Sequence, residues 1–513
     1  MIPVAVSHDA TLRYPTTPPF DPSERYPEFD RMPYSPAIGA ANPVYAATRE
    51  ILHALGLDRE RFGTADWNPL GVLVRPGGRV VVKPNLVLHE PASLKGSDAL
   101  TTHGSIIRAL VDYALLALRG DGEVVVADCP LQEADIETVL STTGLDAVLR
   151  HFRDVARMPV RFVDFRLDGM VLHPDGRISG RRKLSGDPRG NVEVHLDATS
   201  LLEPITVADD RFGAGYQNSF AVANYDASKT SGRHTPGRHA YLIPRTVLES
   251  DLFINVPKLK THQKAGITVC QKNLIGINAD KSYLPHYREG SADEGGDEYP
   301  YRNRLTAWNR KVRKRFVDGT PALWKAGSGL WRLAKATLLS PRVLGKESTF
   351  VANAGVSGGA WHGNDTLWRT ILDINRILFL ADASGTLRTD RRRAYLAVVD
   401  GIVAGEGNGP ILPRTRHDGV LLAGMDALAV DVVAARLMGL DWTAIPQLRQ
   451  AAALTSLRFS DFTGDTAELD VRAPDGRWSR LFDLTAEEHL GFDPPPFWRE
   501  SRLSAEAAGA PRR

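Results

Sequence analysis

Cysteine is almost missing: Cys129 and Cys270 are the two thiols in 513 residues. Two thiols cannot hold an iron–sulfur cluster or a four-thiolate zinc ion, so no iron–sulfur cluster is expected. They are also too few to staple a secreted fold, and a reduced, cytoplasmic compartment is the expectation. An excess of charge of one sign is missing as well, with Lys+Arg at 63 against Asp+Glu at 61. That balance provides no global attraction for nucleic acid, and no nucleic-acid partner is expected. No stretch is long, apolar and charge-free enough to cross a bilayer. The opening MIPVAVSHDATLRYPTTPPF has no basic segment followed by an apolar run, so no secretory leader is expected.

What is present is an ordinary globular balance. Hydrophobic residues make up 43% and charged residues 24%, enough for a sizeable core. Residues 1–70 read as an N-terminal arm, rich in Pro, Tyr and Asp, followed by a helix over PVYAATREILHALGL (43–57). Residues 71–150 read as a first α/β unit: the strand RVVVKPNLV, a helix opened by Thr101 to Ser105, and the strand EVVVADCP. Residues 151–248 alternate short β-rich pieces with turns and read as a β-rich insertion. A second α/β unit, 249–300, carries LFINVPKLKTH and GITVCQKNLIGIN. Residues 301–350 read as a basic amphipathic helical insertion, and 351–495 as the C-terminal α/β part that completes the core. Residues 496–513 read as a tail. Apolar strands alternating with helices predict an α/β fold with two α/β lobes and mainly parallel sheets. Within the basic insertion, 303–346 mixes Lys and Arg with Trp308, Phe316, Trp324 and Trp331. Such a segment suits peripheral contact with an anionic membrane surface, or a solvated helical insertion packed on the body.

Three strand ends carry the chemistry. In Lys83-Pro84-Asn85, Pro84 cannot donate to a ladder, so the strand stops and presents Lys83 and Asn85 at its carboxyl end. Ligands of open α/β sheets bind outside that end. Pro257-Lys258-Leu259-Lys260-Thr261-His262 repeats the pattern, and in extended chain Lys258, Lys260 and His262 share one face. Like charges so placed call for an anion or a carboxylate among them. Lys272 and Asn273 interrupt an apolar stretch, which makes Lys272 a candidate base, covalent nucleophile or phosphate ligand. The third strand ends in Asp400 and Gly-Glu-Gly-Asn-Gly (405–409), where glycines permit tight turns with inward N–H groups suited to anions. Glu406 there is a candidate acid, base or metal ligand, and Asn408 a candidate substrate contact. Asp128 ends a strand in the same way. His103 lies at a helix start and is a candidate general base. Asp431, inside an apolar helix, reads as a structural carboxylate that needs a partner, and Asp426 reads as that helix's N-cap.

The motifs VVVKPNL, TTHGSIIRALV, LFINVPKLKTH, GITVCQKNLIG, VVDGIVAGEGNGP and GVLLAGMDALAVDVVAARLMGLD occur in that order, with the Asp128 strand between the second and the third. From about Val80 to Leu440 the chain resembles the bacterial and archaeal family called domain of unknown function 362. Some members carry ferredoxin-like cysteine clusters, which this chain lacks. The resemblance implies no particular reaction.

The reading is an enzyme whose Lys83, Asn85, Lys258, Lys260, Asn273 and Asn408 bind a small carboxylate- or phosphate-bearing substrate. His262, Lys272, Glu406 and His103 are the candidates for proton abstraction or group transfer. A divalent metal on Glu406, Asp128 and His262 is an open option, with the cofactor otherwise unknown. Isomerase, lyase or transferase chemistry is expected rather than hydrolysis, because no Ser or Cys nucleophile is offered. The alternatives are a non-catalytic metal, cofactor or redox carrier, or a membrane-surface assembly factor acting through 303–346. Oligomeric state is open.

Overall fold

The structure, a computed structural model, describes residues 1–32, 34–89, 98–172, 178–206, 220–223, 225, 227–301, 356 and 358–503. The basic insertion, with its membrane-surface reading, lies outside the described residues from 302 on, as does the end of the tail from 504. Among the described residues no helix is long and apolar enough to cross a membrane. The chain divides into two compact units. The first comprises Met1–Leu196, Ala240–Lys281 and Ile371–Arg513, and the second Asp197–His239 and Ser282–Thr370.

One eleven-stranded sheet organises the first unit. Its strands are β1 (Ile2–His8), β2 (Arg79–Pro84), β3 (Glu123–Asp128), β4 (Val160–Asp164), β5 (Leu252–Val256), β6 (Lys258–His262), β7 (Gly266–Thr268), β8 (Ala394–Glu406), β9 (Arg414–Arg416), β10 (Val420–Gly424) and β11 (Leu469–Arg472). The main order is β11-β1-β10-β8-β5-β2-β3-β4, with β6 beside β7 and β8, and β9 beside β8. The stretch β8-β5-β2-β3-β4 is parallel throughout. β10 joins β8 and β1 antiparallel. The α/β class with a mostly parallel sheet follows the expected alternation. The strands of residues 71–150, 249–300 and 351–495 lie side by side in this single sheet.

The reason is burial on both faces. Val80, Val81 and Val82 of β2, and Val124, Val125 and Val126 of β3, are all solvent-free, so consecutive β-branched residues face opposite ways into apolar surroundings. Helix α1 (Pro43–Leu55) starts at Asn42, whose side chain accepts from Tyr45 N, and stops at Gly56 in the left-handed region. Helix α2 (Gly104–Leu118) is buried along its whole length. It tolerates charge because Arg108 meets Asp112 one turn on at 3.0 Å, and the Tyr45 hydroxyl donates to the same carboxylate at 2.8 Å. The N-terminal arm packs on these helices, Tyr26 against Tyr45 and Phe29 against Tyr113, and Phe20, Tyr26 and Phe29 are buried.

The second unit has a short ladder between Phe220–Ala221 and Tyr287–Arg288. It also holds a turn of strand in which His234 and Thr235 pair with His239 and Arg238. Its buried Asp297 accepts from Arg288 N and from the Thr366 hydroxyl, at 2.6 Å each.

Candidate active site

The parallel register sets Val256 opposite Pro84, so the carboxyl ends of β2 and β5 lie side by side. β3 ends at Asp128 next to them. Behind Pro84 the chain turns, and Asn85 exchanges bonds with Thr102: its N–H donates to Thr102 Oγ1 at 2.9 Å and its carbonyl accepts from Thr102 N at 3.0 Å. Lys83 is 1% exposed, and its Nζ lies 2.7 Å from Asp128 Oδ1, 3.1 Å from the Pro84 carbonyl and 3.3 Å from Asn273 Oδ1. All three of its donors are used. Asp128 also accepts from Leu86 N and Cys129 N, at 2.8 Å each. This buried pair is therefore fully satisfied, the condition under which such a pair is tolerable.

A short helix, α3 (Cys270–Asn273), brings two more polar groups to the edge. Its first N–H groups are held by Asp431 of α4 (Ala427–Met438): Oδ1 accepts from Cys270 N at 2.6 Å, and Oδ2 from Gln271 N at 3.0 Å. Burial raises the Asp431 carboxyl to about 7, against these bonds. Asn273 accepts from Asn85 Nδ2 at 2.8 Å and donates to Asn255 Oδ1 at 2.8 Å. Asn255 in turn donates to the Cys270 carbonyl and the Tyr395 hydroxyl. An amide chain thus locks α3 against β2 and β5.

Lys260 and Lys258 extend the cluster along β6, whose register against β8 shifts between them. Lys260 is solvent-free and donates to Asn85 Oδ1 at 2.9 Å and the Leu100 carbonyl at 2.5 Å. Among the described residues it meets no carboxylate. Burial, then Lys258 and Lys272, hold its amine well below the ordinary lysine range. Lys258 is paired to Asp400 at 3.0 Å and to the Tyr14 hydroxyl at 2.7 Å. Tyr14 donates to the other Asp400 oxygen at 2.5 Å, and His103 N donates to Asp400 at 3.1 Å. Tyr14 comes from the arm, and no pattern around it in the sequence marks it for this place.

Lys272 and Lys281 differ from the other lysines. The side-chain amine of neither is hydrogen-bonded or ion-paired to a described residue, Lys272 being half-buried and Lys281 7% exposed. Burial, followed by the charges of Lys281, Lys264 and Lys83, brings the Lys272 amine down to about 7. Burial also lowers Lys281, opposed by nearby Cys129, Glu133 and Asp128. Lys281 was not among the candidates, since it follows an apolar segment in what reads as a polar loop. The Cys129 thiol beside it is pushed up to about 12 by burial, which leaves it protonated.

Several candidates stand elsewhere. Both Glu406 oxygens are engaged: Oε1 by Arg414 at 2.6 Å, Oε2 by Arg416 at 3.2 Å and by Asp493 N at 2.8 Å. The arginines sit across the β8-β9 hairpin, in register with Glu406 and Ala404. Asn408 is exposed in the following turn and accepts from Gln263. In that glycine turn Gly407 N donates to the Asp493 carbonyl and Gly409 N to the Gly407 carbonyl, so these N–H groups are occupied rather than offered to an anion. His262 spends its Nδ1 on the turn to β7, accepting from Lys264 N and Ala265 N. His103 caps α2 through Ser105 N, stacks on Tyr14 at 4.1 Å and tilts against Phe20. Burial and Lys258 lower it to about 3, so it stays neutral. Asp128 is committed to Lys83. Among the described residues no group of three or more His, Cys, Asp and Glu side chains is placed to hold a metal, so Glu406, Asp128 and His262 do not converge. The edge of the sheet thus gathers Lys83, Asn85, Asp128, Lys258, Lys260, Lys272, Asn273 and Lys281, and leaves Glu406 and Asn408 on the hairpin.

The family model described as "Domain of unknown function (DUF362)" matches residues 80–187 and 216–436, more than half of the chain. No curated protein matches. Among solved structures, a structural-genomics crystal structure of a Thermotoga maritima protein is similar at a TM-score of 0.28 and 13% identity. The alignment covers 71% of this chain and 53% of that one, so the chain spans about half the length of that protein.

Proposed function

The chain belongs to the DUF362 family, and from that premise we propose that it is a cytoplasmic enzyme that binds a small carboxylate- or phosphate-bearing substrate at the carboxyl edge of the sheet and moves a proton or a group there. The observation that carries the proposal is the pair of amines without partners, Lys272 and Lys281, beside the satisfied Lys83–Asp128 pair. Partly desolvated cations without partners are unfavourable. An anion between them supplies the missing charge and restores their protonated forms. Lys83 and Lys260, fixed by Asn85 and Asn273, form the rigid floor. An amine near neutrality is suited to accept a proton in the reaction.

Calorimetric titration of the full chain with phosphate, propionate and pyruvate tests this reading. Binding should be accompanied by proton uptake at pH 7.5, seen as a heat that depends on the buffer's ionisation enthalpy. It should weaken at least tenfold in a Lys272→Met/Lys281→Met variant. Equal affinity in the folded double variant refutes the site.

A further inference from the structure

We propose that His234 and His239 of the second unit share one buried proton against the Glu203 carboxylate, and that this proton is a pH-sensitive clasp on the turn between them. The clasp is independent of the anion site.

The turn is written in the sequence. In Thr235-Pro236-Gly237-Arg238 the proline presets the first corner, and Gly237 takes the φ of +72° that the second corner needs. The reversal sets His234 directly opposite His239, and Thr235 opposite Arg238. Opposed residues bring their side chains to one face, about 5 Å apart. Both rings are buried, His239 completely. Their outer nitrogens fix which way each ring points. His234 Nε2 lies 2.9 Å from the Tyr283 carbonyl, and His239 Nε2 lies 2.8 Å from Glu203 Oε2. The inner nitrogens, both Nδ1, then face each other at 3.3 Å.

These partners dictate the protons. A carbonyl only accepts, so His234 Nε2 carries a proton. Burial foremost, then the charges of His239 and Arg233, lowers His234 to about 3 against the Tyr283 bond, so its Nδ1 keeps a lone pair. Both Glu203 oxygens accept from Gly237 N, at 3.1 and 2.9 Å, and these bonds hold its carboxyl below the ordinary range. Glu203 is therefore ionised, and His239 Nε2 donates to it. With His239 neutral, its Nδ1 would turn a second lone pair on that of His234. One further proton between the two Nδ1 atoms removes the conflict. The trio is then one imidazole, one imidazolium and one carboxylate, with no net charge.

A metal ion fits this geometry poorly. Two imidazoles on a tetrahedral ion meet at an angle, with the ion off the line between their nitrogens. Here the ring centroids are 5.5 Å apart, about two ring radii more than the nitrogen separation, so the rings meet nearly head-on. That is the arrangement of an N–H···N bond.

The clasp holds over a window of pH. Between pH 6.5 and about 3 the unfolded chain binds a proton that folded His234 refuses, so stability falls as pH falls through that interval. Arg233, whose guanidinium lies 4.4 Å from the centre of the Tyr283 ring, adds a fixed charge against that second proton. As pH rises above neutrality the shared proton leaves, and two lone pairs and an uncompensated carboxylate remain. The turn opens at both ends of the window.

Proton NMR of the full-length chain, ring-15N-labelled at histidine and held at pH 8, counts the protons, since sealed ring N–H groups persist and accessible ones exchange away. The pair, assigned through His234→Asn and His239→Asn, should contribute three. Glu203→Gln should keep the turn, because the new amide donates to His239 Nε2 and its oxygen still accepts from Gly237 N. Two neutral imidazoles then suffice, and the pair should contribute two. Amide exchange, corrected for intrinsic rates, should show protection across 234–239 falling at least tenfold from pH 7.5 toward both pH 4 and pH 10 in the parent, and toward pH 4 alone in Glu203→Gln. Two ring protons in the parent, three in folded Glu203→Gln, or protection in the parent that is constant to pH 10 overturns the clasp. One zinc ion per chain in the parent, absent from His234→Asn, overturns it as well. If the variants fail to fold, the parent decides: a ring proton lost together with the protection as pH rises supports the clasp, and protection lost with every ring proton kept overturns it.

Discussion

Replacing Lys272 with methionine should stabilise the protein, by an amount that depends on pH in a defined direction. The lysine amine falls from 10.5 to about 7 on folding, chiefly through burial. That difference, at about 1.4 kcal/mol per unit, sets a ceiling of about 5 kcal/mol. The side chain is partly accessible, so a realistic value is about 2–3 kcal/mol. The sign follows from proton counting. Between pH 7 and 10.5 the unfolded chain holds the proton and the folded chain has lost it, so stability rises with pH across that window. Below pH 7 both states are protonated and the full cost of the buried ammonium is present. Above 10.5 both are neutral and the cost is gone. Methionine has nearly the same length and no charge, so Lys272→Met removes the cost. Urea unfolding at pH 6.5 should show the variant more stable by about 2–3 kcal/mol, and at pH 10 the gain should shrink toward zero. A variant no more stable than the parent at pH 6.5, or a difference constant from pH 6.5 to 10, would refute a partly desolvated amine without a partner. Saturating phosphate should reduce the gain at pH 6.5, because the anion stabilises the parent alone.

Other perturbations test the frame around the amines. Gly276→Ala would set a methyl 2.3 Å from Asp128 Oδ1 and 2.7 Å from Lys83 Nζ, so denaturant unfolding should show a loss of about 2–4 kcal/mol from parting that pair. Lys258→Met leaves Asp400 solvent-free with only Tyr14 and a backbone N–H, and should cost about 3–5 kcal/mol by urea unfolding, while Lys258→Met/Asp400→Leu recovers part of it. Asp431→Asn turns an acceptor toward Gln271 into a donor, which should lower stability at pH 8 by about 1–3 kcal/mol and weaken ligand binding by freeing α3. Glu406→Gln should destabilise the β8-β9 hairpin by about 1–3 kcal/mol and leave the ligand-induced shift in unfolding temperature unchanged, because both of its oxygens serve arginines and a backbone N–H.

The legible parts were those whose cause is local. Runs such as VVV in β2 and β3 are buried on both faces and announce parallel strands whatever lies beside them. Pro84 and Pro257 cut their strands at the residues where side chains reach the edge, so Lys83, Asn85, Lys258 and Lys260 could be placed without knowing the topology. Lys272 stood out because charge inside an apolar segment demands an explanation. What stayed hidden depends on partners far along the chain. Nothing near Tyr14 points to Asp400, which is 386 residues away. Glu406 lay closer to its answer: Arg414 and Arg416 follow eight and ten residues later, but their meaning emerges only once β8 and β9 form a hairpin. That these strands join one sheet was equally invisible, because apolar strands do not state which neighbour they take.

The position of β1 has a consequence for synthesis. Residues 2–8 are synthesised long before the segments they pair with, 420–424 on one side and 469–472 on the other. At about 5–20 residues per second, those partners follow roughly 20–80 s later. Through that interval a strand with three fully apolar, eventually solvent-free residues, Val4, Ala5 and Val6, has both edges open. Folding of this domain therefore cannot be completed in the order of translation. The nascent chain has to keep its first strand from finding another one, its own or a neighbour's, until the last strand of the sheet has been made.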